Sequence, residues 1–181
     1  MSLISICKAL AHNVGMTVPD VVISSPFRQW QEAVQFANET GEELARRVDW
    51  GQLQATETLT GDGTNKVHAL PVLFSRLNTG VCVMAGTSIV RPLSRAEWNT
   101  LQPVEGLPRY FILEGAEITL WPFLASSATA TVQFQTKAWC SNGTGAFAAD
   151  EDTSLIDEAL FARALIVRWR RQKGMPYADQ E

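Results

Sequence analysis

The sequence predicts an α+β protein: a helical bundle of N-terminal helices and a long C-terminal helix, with a β-rich insertion between them. Three observations carry that prediction. Apolar residues recur at helical spacing over the first fifty residues and again from about Ser154 to Lys173. From Gln52 to Cys140 the pattern changes to short Thr- and Val-rich runs separated by turn residues. The composition is globular, with 46% hydrophobic and 19% charged residues in 181, far from the polar, highly charged signature of disorder. The expected division is a helical core domain of residues 1–51 and 150–181 and an insertion domain of residues 52–149.

Each element has its own signal. Leu3, Ile6, Cys7 and Leu10 fall at i, i+3, i+4 and i+7, which predicts a first helix stopped at Gly15. Ser25-Pro26 predicts the start of a second, with Ser at the N-cap and Pro in the first helical position. Its apolar stripe runs from Phe27 and Trp30 to Leu44 and Val48, and Gly41 is an interior weakness of about 1 kcal/mol relative to Ala. Leu53–Thr60 alternates and predicts a strand, returning through Gly61–Asn65 to Val67–Leu70 as a hairpin. Val81–Met84 and Ser88–Val90 predict two short strands. Ser94-Arg95-Ala96-Glu97 is a capping box that opens a short helix carrying Trp98. Tyr110–Leu113 and Ile118–Trp121 flank a tight turn, and Thr129–Thr136 is the clearest alternating strand. Ser141–Ala149 is a linker. Asp150-Glu151-Asp152 places acids at the expected start of the last helix, where the macrodipole favours them. That helix is apolar almost all round and ends in Arg168, Arg170, Arg171 and Lys173 before Gly174 and Pro176.

Chemistry-bearing patterns are sparse. Cys7, Cys82 and Cys140 are odd in number and far apart, which argues against a zinc site or a disulfide framework and for three buried free thiols. Neither His12 nor His68 has a partner at ligand spacing, and His68 in an apolar run reads as structural. There is no G-x-S-x-G elbow, and Gly61-Asp62-Gly63-Thr64 lacks the Lys of a P-loop and the Glu of a calcium loop. Helix-end electrostatics account for the acids of residues 150–158. No cofactor, metal or catalytic constellation is expected. With no signal peptide and no apolar run of membrane-spanning length, the expectation is a soluble chain made in the cytoplasm. A net charge of −4 excludes a general polyanion binder, so contact with DNA requires a local basic patch. The terminal basic cluster is either a solvated helix end or a contact for an acidic partner or passing DNA. The six tryptophans are core material first and interface anchors second. A scaffold or interaction protein fits this inventory better than an enzyme.

An ordered set of short motifs carries a resemblance. It runs from Gly41-Glu42-Glu43-Leu44-Ala45-Arg46-Arg47-Val48-Asp49-Trp50 through Pro92-Leu93-Ser94-Arg95-Ala96-Glu97-Trp98 and Ile118-Thr119-Leu120-Trp121-Pro122. It continues through Phe134-Gln135-Thr136-Lys137-Ala138-Trp139-Cys140 to Arg168-Trp169-Arg170-Arg171-Gln172-Lys173-Gly174-Met175-Pro176-Tyr177. In this order the chain resembles the head–tail adaptor (connector, head completion or tail accessory) proteins of tailed phages. Similar proteins often continue past the Lys-Gly-x-x-Tyr segment into a further helix, whereas this sequence stops at Glu181. The resemblance implies a virion protein without catalytic activity, assembled in the host cytoplasm into a ring of twelve copies beneath the portal. Such a ring extends the channel for packaged DNA, helps retain the genome and presents a platform for the tail. A ring needs two different faces on each subunit, and the second and last helices are the candidates. The candidate interface residues are Arg163, Arg168, Arg170 and Arg171 for charged contacts with a neighbour or the portal, with Trp50 and Trp169 as buried anchors. Two other readings remain: a tail completion or neck protein that contacts the tail rather than the portal, and a small phage-encoded enzyme such as a hydrolase.

Overall fold

The computed structural model describes residues 2–102, 104 and 106–176. The fold is mixed α+β, with helices α1 (Leu3–Val14), α2 (Arg28–Arg47), α3 (Arg95–Trp98) and α4 (Glu158–Gln172) and two β-sheets. The chain divides into two compact units, Met1–Leu53 with Lys137–Glu181, and Gln54–Thr136.

In the first unit α4 packs against both α1 and α2. Leu3, Ile6, Cys7, Leu10 and Ala11 form the buried stripe of α1, and Gly15 ends the helix in the left-handed conformation at φ 73°, as an αL cap requires. α2 buries Trp30, Ala33, Ala37, Thr40, Gly41, Leu44 and Ala45. It begins at Arg28 rather than Pro26, with Phe27 at the N-cap position and no side-chain cap. The Ser25 hydroxyl instead accepts a long bond of 3.4 Å from the Phe27 N–H inside the preceding turn, and Phe27 is left 63% exposed.

The last helix also begins later than the sequence suggested. Backbone pairing keeps residues 152–155 extended: Leu3 N–H donates to Asp152 O, Ser141 N–H to Thr153 O and Leu155 N–H to Trp139 O. The N-cap is Asp157, whose carboxylate accepts the Leu160 N–H at 2.8 Å. Asp150 and Asp152 therefore serve loops rather than the helix dipole. Asp150 accepts the N–H groups of Val22 and Ile23, and Asp152 those of Ala148 and Ala149. Trp139, Cys140 and Phe147, expected with the insertion, lie in the core of the helical unit beside Phe161 and Leu165.

The second unit is built around β9 (Thr129–Thr136). Along one side β9 pairs antiparallel with β1 (Gln54–Thr60) over its full length, from Gln54↔Gln135 to Thr60↔Thr129. Along the other it pairs with β4 (Val83–Ala85) and then β3 (Phe74–Leu77). β5 (Ser88–Ile89) adds to β4. The second sheet has the order β2-β8-β7-β6, comprising β2 (Val67–Ala69), β8 (Glu117–Trp121), β7 (Tyr110–Glu114) and β6 (Arg91–Pro92). Val83, Ala130 and Val132 from the first sheet and Phe111, Ile118 and Leu120 from the second share one core. The 110–121 hairpin and the Ser94–Glu97 capping box form as the sequence predicts.

The expected hairpin between residues 53–60 and 67–70 does not form, because β2 pairs with β8 in the other sheet. Gly61 explains the change of sheet. Its N–H donates to Ala128 O at 2.8 Å, and a Cβ there would stand 2.7 Å from Leu124 O. The Asp62 carboxylate then accepts the N–H groups of Thr64 and Asn65 and turns the chain toward β8.

Candidate functional site

Classical catalytic groups are poorly placed. His68, on β2, is half-buried, and burial pushes its pKa down. His12 is exposed at the end of α1. All three thiols are buried. Burial, with the nearby Asp150 charge, pushes Cys7 up to about 12, so it is a packing residue rather than a nucleophile. Among the described residues no group of His, Cys, Asp and Glu is arranged to hold a metal ion, and no helix is long and apolar enough to cross a membrane.

The feature with chemistry is a groove of about 890 Å³ between α2 and α4. The amphipathic pattern of both helices creates it. α2 contributes Thr40, Glu43, Leu44 and Arg47, and α4 contributes Leu160, Arg163, Ala164, Val167, Arg168 and Arg171 along one stripe. Leu160, Ala164 and Val167 recur at i, i+4 and i+7 and supply an apolar floor, with Leu160 41% exposed. Four arginines face one glutamate in the lining.

Ion pairs between the helices fix the groove. Arg168 donates to Glu39 at 2.8 Å and also to Glu43, and Lys173 reaches Glu32 at 2.6 Å. Within α2, Arg28–Glu32, Arg46–Glu42 and Arg47–Glu43 pair at i, i+4. Hydrogen bonds from Lys173 and Arg28 hold Glu32 below its ordinary value of 4.5, and those from Arg47, with the Arg47 and Arg168 charges, do the same for Glu43. A carboxylate whose folded pKa is depressed contributes stability above its unfolded pKa and loses it as pH falls through the folded value. Urea midpoints should therefore hold steady from pH 7 to about pH 5 and decline below pH 4.5, with a smaller decline in Glu32→Gln. Midpoints that stay level to pH 3 would refute this account.

The sequence-derived candidates part company in the structure. Arg163, Arg168 and Arg171 converge on the groove. Arg168 is engaged in the interhelical pairs, whereas the side chains of Arg163 and Arg171 are exposed and, among the described residues, have no ion-pair or hydrogen-bond partner. Arg170 points elsewhere: it donates to Asn13 O at the end of α1 and to Pro176 O. Trp50 is partly buried, and its indole N–H donates to Leu44 O at 2.8 Å, satisfying one of the carbonyls that the end of α2 leaves open. Trp169 is 4% exposed and stands edge-to-face on Phe36 at 5.8 Å. Sequence reasoning missed Arg47 as a groove residue. Its i, i+4 pairing with Glu43 was readable, but its position opposite Arg163 depends on how α2 meets α4.

A family model described as SU10 adaptor protein matches residues 1–180, spanning both units. The chain belongs to the SU10 adaptor protein family. This is a phage head–tail adaptor family, so the chain is a bacteriophage adaptor of structural class. No curated protein matches the chain. In an adaptor the working chemistry is recognition, and the SU10-family membership directs attention to exposed, partly apolar, charged surfaces. The α2–α4 groove is such a surface.

Proposed function

We propose that the chain is a connector subunit, twelve copies of which form a ring beneath the portal of a tailed phage. The ring extends the DNA channel, helps retain the packaged genome and gives the tail its attachment platform. Subunits are made in the host cytoplasm and end at the head–tail junction of the virion. The single observation that supports this reading is the adaptor-family match along residues 1–180.

The helices α2 and α4 contact neighbouring copies and the portal. Arg163, Arg168, Arg170 and Arg171 serve charged contacts in the assembly or support them, and Trp50 and Trp169 hold the bundle in shape. DNA passes without sequence-specific contact. A net charge of −4 suits that role, since strong phosphate binding would oppose passage.

Light scattering on the purified chain, alone and mixed with the portal of the same phage, tests the proposal. The expected result is a ring-sized mass, or co-migration with the portal, since many ring components assemble only on their partner. A monomer that ignores the portal but joins a tail protein would move the subunit to the tail side of the neck. A monomer that binds neither would refute the connector role.

A further inference from the structure

We infer that the α2–α4 groove is the docking site for an acidic amphipathic helix of another head or tail protein. The inference deepens the adaptor reading by naming the chemistry of a partner, and it rests on that reading only in taking the partner to be a virion protein. Four properties of the groove point to this occupant. Its lining carries four arginines against Glu43, on a chain whose net charge is −4, so its positive charge is local and does not reflect a generally basic protein. Two of the four, Arg163 and Arg171, are exposed and unpaired among the described residues. The stripe they share is partly apolar, with Ala164 and Val167 between them and Leu160 one turn before Arg163. Finally, a groove between two packed helices has the form that receives a third helix by its apolar face.

Spacing defines the partner further. Arg163 and Arg171 are eight residues apart on α4, which is about 12 Å along the axis. A partner helix therefore meets both with carboxylates two turns apart and places aliphatic side chains between them, over Val167. Nucleic acid fits less well. The floor is partly hydrophobic, Glu43 stands in the lining, and the aromatic rings of this region that would stack bases, Phe36 and Trp169, pack edge-to-face on each other at the core.

The test uses the full chain and fluorescein-labelled 20-residue peptides tiled across the portal and tail proteins of the same phage, read by fluorescence anisotropy. The expected binders carry Asp or Glu two helical turns apart with aliphatic residues between. The double variant Arg163→Glu/Arg171→Glu should weaken their binding at least tenfold with an unchanged urea midpoint. Peptides with Lys in place of the two acids should bind that variant better than the wild-type chain. The inference fails if no peptide binds, if the binders are not acidic, or if binding survives the charge reversal. It also fails if a DNA duplex takes the same arginines in preference to every peptide, or if the reversal breaks self-assembly while no peptide binds, which would make a second copy the occupant. A wild-type chain that joins the portal in light scattering yet binds no peptide removes this inference and leaves the connector proposal standing.

Discussion

Gly41→Ala is expected to destabilise the helical unit by about 1–3 kcal/mol, the usual cost of overpacking a filled core. Helix propensity alone gives the opposite sign, since Ala in mid-helix is favoured over Gly by about 1 kcal/mol. The structure decides between the two. A Cβ on Gly41 would stand 2.6 Å from Cη2 of Trp139 and closer still to Cζ2. The indole cannot swing aside. It is 1% exposed and held by Phe147 at 4.9 Å and Phe161 at 5.6 Å. α2 must instead move away from its own core, which close-packed interiors resist. Urea denaturation measures the effect as a lower midpoint at unchanged slope. Trp139→Phe supplies an internal control: adding Gly41→Ala to it should cost less than adding it to the wild-type chain, because the smaller ring leaves room for the methyl group. A raised midpoint in Gly41→Ala would show that propensity wins and that the close approach has no energetic weight.

Trp169→Ala is expected to cost about 3–5 kcal/mol, the range for removing a large aromatic from a core. Trp169 packs on Phe36, and the Lys173 ammonium lies 5.0 Å from its ring centroid, so truncation leaves a cavity where α4 meets α2. Any loss of assembly in this variant should follow loss of folding, with both transitions at one urea concentration. Arg171→Ala, two residues along the same helix but exposed, should stay within about 0.5 kcal/mol of the wild type. A Trp169→Ala chain that folds with normal stability but no longer joins its partner would assign the ring to the interface instead of the core.

Much of the local structure was legible in the sequence because local physics sets it. The Leu3–Leu10 spacing with Gly15, the Ser94–Glu97 box and the 110–121 hairpin each close within a few residues. Pairings between distant segments were not legible. Residues 53–60 and 67–70 look like neighbours in a hairpin, but β1 pairs with β9 and β2 with β8, far along the chain. The acids at 150 and 152 look like helix-start residues, yet Asp152 closes a local loop on the amides of residues 148–149, and Asp150 holds the amides of residues 22–23, a contact invisible to any local pattern. The groove was half legible. The basic stripe of α4 was readable from its spacing, whereas Arg47 and the apolar floor become one surface only through the packing of α2 on α4.

The order of synthesis follows from the way the helical unit is split along the chain. A ribosome adding about 5–20 residues per second delivers α1 and α2 first, then the whole of Gln54–Thr136, and α4 last. Trp30, Ala33, Ala37 and Leu44, which α2 buries in the finished unit, are therefore translated many seconds before Phe161, Leu165 and Trp169, the α4 residues in the same core. The β-rich unit has its entire sequence in hand while the helical one still waits. Nascent chains halted before α4 thus carry the whole sequence of the β-rich unit and an incomplete helical half with its apolar stripe uncovered, the state in which a chaperone or a premature partner would meet this protein.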